Sequence, residues 1–285
     1  MTFLRVKRWL RLSGLCFLIS ASHAAEWDTD KEHAIADKLS AQLKYGELIW
    51  LQTEKNTEFP VIYTLPVYNN KQRAIILLHS MSAHMDWPVV IAPLRLSFRD
   101  KMWASLSIQL PVITTEKAPA EYSKTLDEAA RRITSAIRYL RNQGYETIVL
   151  IGYGFGATTA AFFLAGEPAH GIHAFVGISM LARKYLGPHV NLLTYLEKLN
   201  LPTLDIYGSN DLPVIVRTAD DRRLFSQKTG TNRFSQIIIE GADHYFTDHE
   251  LTLFTSIITW LDDLDSEHGE ISDYQAVQDE SVMHY

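Results

Sequence analysis

Three short segments of the chain carry residue types that could form a nucleophile–histidine–acid triad, but the first segment lacks its nucleophile. Residues 152–156 read Gly-Tyr-Gly-Phe-Gly and directly follow an apolar run at 147–151. This is the spacing of G-x-S-x-G, the strand-to-helix turn that exposes a catalytic serine. Gly154 stands at the serine's position, and glycine has no atom that can attack a carbonyl. The turn therefore predicts an acyl-transfer site whose nucleophile position is vacant.

The other two members of such a triad follow in the expected order along the chain. Asp211 and His244 each come directly after a late apolar run. In a triad, the aspartate holds the imidazole in one tautomer, and the imidazole takes the proton of the nucleophile. We therefore predict Asp211 as the acid and His244 as the base, with Asp205 and Asp243 as alternatives for the acid.

A hydroxyl elsewhere in the chain could replace the missing one. His79 and Ser80 follow the apolar run at 73–78, where a loop that often begins His-Gly supplies one oxyanion N–H group. Ser80 replaces that glycine and is the first candidate for a displaced nucleophile. A water activated by His244 is the other possibility. The residues expected around the oxyanion site and its pocket are His79, Met81, Tyr153 and Phe155.

The elements that would position these residues alternate between strands and helices. Alternation of this kind predicts an α/β fold with a mostly parallel sheet and helices on both faces. Sites in such sheets lie at the carboxyl ends of the strands, where the candidate residues stand. The predicted strands span 49–53, 60–65, 73–78, 104–110, 147–151, 173–178, 203–207 and 236–239. The predicted helices span 31–43, 90–101, 123–142, the stretch from the glycine turn to 166, 191–199, 218–229 and 248–264.

The order of strands, glycine turn, acid loop and the Gly-x-Asp-His stretch at 241–244 resembles the α/β-hydrolase superfamily over roughly residues 48–264. The resemblance implies the α/β-hydrolase fold, with Gly154 as an empty nucleophile position. Residues 84–111, which include Asp86-Trp87-Pro88, are similar to an uncharacterised family of exported bacterial α/β-hydrolase-like proteins. That second likeness implies no particular activity.

Two other classes of site are disfavoured, so we predict no cofactor and no metal. The glycines also match the dinucleotide fingerprint G-x-G-x-x-A, but the turn lies in mid-chain and the next strand ends without an acid for the ribose. His79, His84, Asp86 and His244 match no spacing that is typical of zinc ligands.

The ends of the chain differ in composition from the middle. Residues 1–24 combine basic residues, a short apolar stretch and a small-x-small site, which predicts a signal peptide cleaved after Ala24. Cleavage would remove the only cysteine, Cys16, and four basic residues, which changes the net charge from −6 to −10. Residues 25–264 form the predicted α/β-hydrolase-like domain, and the polar, acidic residues 265–285 are predicted to be a disordered tail.

The predicted helix at 123–142 carries four arginines beside an apolar stripe. An amphipathic helix of this kind usually turns its charged residues towards solvent. We therefore expect a solvated face formed by Arg131, Arg132, Arg138 and Arg141.

Taken with Gly154, these features favour a periplasmic or secreted pseudoenzyme that binds an unidentified small molecule or an envelope protein in the old crevice. The alternative is an active esterase or acyl hydrolase of the cell envelope that uses Ser80 or a His244-activated water. An acidic exported protein is a poor candidate for binding nucleic acid. After cleavage of the signal peptide, no stable membrane span is expected.

Overall fold

The computed structural model describes residues 27–68, 72–113, 119–166, 171–182, 190–229 and 233–282. The predicted signal peptide, with Cys16, lies outside the described residues. The strands are β1 (Glu47–Gln52), β2 (Glu58–Thr64), β3 (Arg73–Leu78), β4 (Ala104–Ile108), β5 (Thr147–Tyr153), β6 (Ala174–Ile178), β7 (Thr203–Asn210) and β8 (Phe234–Asp243). The helices are α1 (Thr29–Ser40), α2 (Ile91–Asp100), α3 (Leu126–Asn142), α4 (Phe155–Gly166), α5 (Leu192–Leu196), α6 (Pro213–Arg217), α7 (Ala219–Ser226) and α8 (Glu250–Val282). Short 3₁₀ segments lie at Pro119–Thr125 and Gln227–Thr229.

One eight-stranded sheet organises the fold, in the order β1-β2-β4-β3-β5-β6-β7-β8. The hairpin β1–β2 is antiparallel, and β2 also pairs antiparallel with β4. The remaining strand pairs are parallel. The predicted α/β class with a mostly parallel sheet is therefore confirmed, and the carboxyl ends of β3, β5, β6 and β7 meet along one edge.

The sheet is buried on both faces because its central strands are apolar at successive positions, as parallel sheets require. Leu150 of β5 packs with α3 and α4 on one face. Its neighbour Val149 packs with α2 and α8 on the other. The successive side chains of a strand point to opposite faces, so an uninterrupted apolar strand feeds two cores at once. A sheet fixed on both sides is a rigid base for loops at its edge.

One arginine of α3 is buried, which corrects the expectation that the four arginines form a solvated face. Arg132 is 0 % exposed. It pairs with Glu32 of α1 at 3.0 Å and with Glu128, one turn earlier in α3, at 3.4 Å. Both carboxylates are buried as well. The prediction was wrong for Arg132 because Glu32 of α1, which is buried as well, supplies an acid to pair with it. The ion cluster thereby ties the N-terminal helix to the core.

Helix α8 continues beyond the predicted end of the last helix. It runs to Val282, through most of the segment that was expected to be disordered. The segment is polar, which disfavours burial, but polarity does not oppose helix formation. Residues 265–282 contain no proline and one glycine, so little in the sequence interrupts the helix. The domain boundaries at 24 and 264 stay predictions. Among the helices of the described ranges, none is both long and apolar enough to cross a membrane.

Candidate functional site

The glycine turn between β5 and α4 has the geometry of a nucleophile elbow. Gly154 has φ +57°, in the left-handed region that L residues rarely adopt. A Cβ atom on Gly156 would lie 2.3 Å from the carbonyl oxygen of Leu78, at the end of β3. Gly156 is therefore needed for the close approach of α4 to β3. The turn keeps the left-handed conformation at position 154, which glycine adopts without strain.

The hydroxyl of Ser80 fills the space of the missing side chain. A Cβ atom on residue 154 would lie 2.4 Å from Ser80 Oγ and 3.1 Å from Ser80 Cβ. The backbone N–H of Phe155, the residue after the vacant position, donates to Ser80 Oγ at 3.3 Å. In α/β hydrolases that N–H is one of the oxyanion donors. Ser80 therefore lies where sequence spacing alone could not place it, against both the elbow and its oxyanion donor.

His79 holds the loop that carries Ser80. Its Nε2 accepts from the backbone N–H of Leu110 at 3.0 Å and lies 2.9 Å from Gln109 Nε2. A backbone N–H can only donate, so Nε2 is unprotonated and Nδ1–H donates to the carbonyl of Ser80 at 2.8 Å. Burial lowers the pKa of His79 to about 3. His79 is therefore a neutral positioning residue. Gln109 was not predicted as part of the site, although a polar residue that ends an apolar strand is a usable signal.

The lowered pKa of His79 predicts loss of stability in acid. A histidine whose folded pKa lies below its unfolded value binds more protons in the unfolded state, so the free energy of unfolding falls as the pH drops below about 6.5. Between pH 6.5 and 5 we expect this group to cost about 2 kcal/mol. Urea unfolding at both pH values should show a smaller decrease for His79→Gln than for the wild type. The exposed control His33→Gln should keep the wild-type decrease, and an equal decrease in all three proteins would contradict the assignment.

Asp211 and His244 form the acid–base pair. His244 Nδ1 lies 2.7 Å from Asp211 Oδ1. The carboxylate is buried and accepts two further bonds, from the backbone N–H of Leu212 at 2.6 Å and from the hydroxyl of Ser179 at 2.5 Å. These donors fix its orientation towards the imidazole. The place of Ser179 just after β6, beside the acid loop, makes it a positioning residue.

The two alternative acids are engaged elsewhere. Asp205 is buried and pairs with Arg222 at 2.7 Å. Asp243 accepts from backbone N–H groups of its own loop, at Tyr245 and Thr247, both at 3.0 Å. Asp211, whose Oδ1 lies 2.7 Å from His244 Nδ1, is therefore the one of the three that has the geometry of the triad acid.

The imidazole of His244 lies beside Tyr153 rather than on Ser80. The Tyr153 hydroxyl donates to the backbone carbonyl of His244 at 3.1 Å, and the two rings are 5.4 Å apart. Burial, reinforced by the charge of Asp211, raises the pKa of Tyr153 above its usual range. Among the described contacts of His244, none joins its Nε2 to Ser80. Nε2 is thus available to a ligand or to a shifted hydroxyl.

A cavity of about 230 Å³ opens beside Ser80. Most of its lining is apolar, and of the predicted pocket residues it includes His79, Met81 and Phe155. Tyr153 is buried next to His244 and does not line it, so its prediction as a lining residue is not matched by this cavity. Within the described ranges, no three His, Cys, Asp or Glu side chains lie close enough together to hold a metal ion.

The chain matches one family model over most of its length. A family model described as "Protein of unknown function (DUF3530)" matches residues 20–131 and 114–263. The chain belongs to this family. A search of curated proteins found no match for this DUF3530 chain.

Solved structures of several esterases have the same fold as the DUF3530 chain. Est1E from Butyrivibrio proteoclasticus is 12% identical, with a TM-score of 0.61 over 78% of this chain and 99% of that one. The Pyrococcus furiosus esterase Pf2001 is 15% identical, with a TM-score of 0.63 over 78% and 92% of the two chains. Esterase 2 of Thermogutta terrifontis, described as phosphoramylated by tabun, is 16% identical, with a TM-score of 0.60 over 80% and 96%. At these identities the likeness shows the fold alone.

Proposed function

We propose that this protein is a serine hydrolase of the cell envelope that acts on ester or other acyl bonds, with Ser80 as the nucleophile. The observation that carries the proposal is the position of Ser80 Oγ, 2.4 Å from where a Cβ of residue 154 would be. The sequence favoured a pseudoenzyme because position 154 is vacant. The proposal reverses that preference, because a hydroxyl occupies the vacant space.

The reaction uses residues already in place around this hydroxyl. Ser80 Oγ attacks the acyl carbonyl while His244 Nε2 takes the hydroxyl proton, and Asp211 stabilises the resulting imidazolium. The N–H of Phe155 stabilises the oxyanion, as the superfamily resemblance implies also for the N–H of Met81. His244 then gives its proton to the leaving alcohol. A water activated by the same imidazole releases the acid and regenerates the Ser80 hydroxyl.

The proposal requires His244 and Ser80 to approach each other when a substrate binds. Catalytic hydrogen bonds are often long in ligand-free enzymes and tighten in the complex. Hydrogen bonds fix the carboxylate of Asp211 and the backbone of Ser80. The moving parts are then the Ser80 hydroxyl, which rotates about one bond, and the imidazole of His244.

A second candidate function, binding without chemistry, is favoured by one contact. Ser80 Oγ already accepts the hydrogen bond of the Phe155 N–H at 3.3 Å, which is a donor that an oxyanion would need. If the hydroxyl stays there, the oxyanion loses that donor. The crevice would then bind acyl compounds or an envelope protein without cleaving anything.

Labelling with a fluorophosphonate separates the two candidates. The purified protein is treated with the probe, and the modified peptide is mapped by mass spectrometry. We expect one adduct on Ser80, because only an activated serine displaces the fluoride. The adduct should vanish in Ser80→Ala and persist in the control Ser82→Ala, a serine that lines the same cavity. Absence of labelling would favour binding without chemistry, and labelling that survives Ser80→Ala would assign the nucleophile to another residue and contradict the role of Ser80.

A second mass measurement, on the intact protein, tests the proposed export. We propose that residues 1–24 are removed during transport to the periplasm or the exterior. The intact mass of protein isolated from that compartment should equal the mass of a chain that begins at Ala25. A mass that includes Met1 in this compartment would contradict cleavage.

A further inference from the structure

The cavity beside Ser80 has one charged wall, formed by helix α1. Lys31 and Ile35, one turn apart on that helix, both line it. Ser80 and Phe155, at the elbow, line the same cavity. The proposed nucleophile and a lysine near the N-terminus therefore line one cavity, although the sequence did not indicate that Lys31 belongs to the site.

The position of Lys31 is fixed by its neighbour in the helix. Glu32 pairs with buried Arg132 at 3.0 Å and accepts from the backbone N–H of Val112 at 3.0 Å. Val112 itself lines the cavity. The backbone that carries Lys31 is thus tied to the core and to the cavity wall, so the lysine is not carried by a loose end of the chain.

The charge of Lys31 is available to a ligand. In the part of the chain that the structure describes, no carboxylate lies within 4.0 Å of its ammonium group. The nearby Asp28 directs its carboxylate to the backbone N–H of Lys31 at 2.9 Å, where it caps α1. Burial lowers the pKa of His84, another lining residue, so its imidazole is neutral at pH 7. Asp86, close to His84, is paired with Arg95 at 2.9 Å.

The volume and the lining limit what can enter. A cavity of about 150 Å³ lined by apolar side chains is enough to bind benzene. The 230 Å³ here accommodates one ring, or a short branched chain, together with a small polar group. Leu110, Pro111 and Ile113 supply apolar surface for the body of such a ligand.

We propose that the cavity selects small acyl compounds with an anionic group at the far end: the ester lies at Ser80, the apolar body fills the cavity and the anion pairs with Lys31. This inference rests on the proposed function for the role of Ser80. The chain has a net charge of −6, so as a whole it does not attract anions. The positive charge of Lys31 gives this one site a local preference for anionic ligands.

Binding to the full-length Ser80→Ala protein tests this preference without requiring catalysis. Two probes share one ring and one methyl ester: monomethyl terephthalate carries a carboxylate opposite the ester, and methyl 4-methylbenzoate carries a methyl group there. We expect calorimetric titration at low salt to show about tenfold tighter binding of the anionic probe, since a hydrogen bond to a charged group contributes about that factor.

Two lysine variants in the Ser80→Ala background assign the preference. Lys31→Met keeps the length of the side chain without its charge, and it should remove the tenfold difference. Lys44→Met, an exposed control just beyond α1, should keep the difference. Equal affinity for the two probes, no binding of either, or a preference that survives Lys31→Met would overturn the inference.

The two proposals fail in distinguishable ways. If fluorophosphonate does not label Ser80 but the Lys31-dependent preference is found, the site binds anionic acyl compounds without hydrolysing them. If Ser80 is labelled but the preference is absent, the hydrolase proposal stands and the selectivity proposal is wrong.

Discussion

Exchanging the residues at positions 80 and 154 is expected to return the reactive hydroxyl to the elbow. The single variant Ser80→Gly should lose at least about a hundredfold in kcat/KM for p-nitrophenyl acetate, because the remaining oxyanion donor and binding sustain only about 10³–10⁴-fold acceleration over water, against about 10⁶-fold or more for an enzyme. The double variant Ser80→Gly/Gly154→Ser should recover activity, with the fluorophosphonate adduct now on residue 154. Asp211 and His244 serve both arrangements.

The second single variant, Gly154→Ser, provides the structural control. Its Cβ would meet Ser80 Oγ at 2.4 Å, and its φ of +57° is unfavourable for any L residue. We expect a loss of about 1–3 kcal/mol in the free energy of unfolding, measured with urea, since overpacking of a tight site typically costs that much. Removing Ser80 in the double variant should relieve the steric part. Failure of the double variant to exceed Ser80→Gly in activity would show that Ser80 and the elbow do not share one catalytic space.

The variant Arg132→Met is expected to cause the largest loss of stability. It leaves Glu32 and Glu128, each 1% exposed, without their buried cation. Breaking a buried ion pair by removing one partner costs about 3–5 kcal/mol, because the remaining charge is uncompensated. Urea unfolding at pH 7.5 measures the loss. The matched control is Arg131→Met, whose residue is partly exposed and pairs with Glu128 at 2.9 Å, and it should cost less than about 1 kcal/mol.

The loss in Arg132→Met should also depend on pH. Burial already raises the pKa of Glu32, and Arg132 opposes that shift, so removing the arginine raises the pKa further. An acid whose folded pKa lies above its unfolded value binds more protons when folded, so its penalty grows as the pH rises above the unfolded value of about 4.5. The difference in stability between variant and wild type should therefore be smaller at pH 5 than at pH 7.5. A difference that is constant between these values would contradict burial of a charged Glu32.

The fold was predictable because its strands are apolar runs separated by turns. The run at 73–78 gave the bounds of β3 as the structure has them, and the order of Asp211 and His244 predicted which loops would meet. Local patterns carry this information, since a buried parallel strand must be apolar throughout. The roles of the site residues stay predictions until the variants are measured.

What the sequence could not reveal depends on contacts between distant segments. In sequence, Arg132 resembles the other arginines of α3. It is distinguished by its ion pair with Glu32, which lies 100 residues earlier in the chain. Likewise, no spacing rule places Ser80 within reach of residue 154, because the distance depends on how closely α4 approaches β3. Gln109 and Ser179 were missed as supports for the same reason: each contacts a residue from another strand end.

A Cβ atom on residue 154 would lie only 2.4 Å from Ser80 Oγ. This short distance also restricts the evolutionary routes between the present arrangement and one with serine at 154 and glycine at 80. Two substitutions separate them, so a stepwise lineage passes through one of two ancestors. One ancestor carries both serines in colliding positions, and the other carries glycine at both and has no hydroxyl. The collision costs stability, and the ancestor without a hydroxyl loses about a hundredfold or more in hydrolytic activity. A lineage that exchanged the two residues one at a time therefore passed through a handicapped protein, and relatives with glycine at both positions would be its surviving trace.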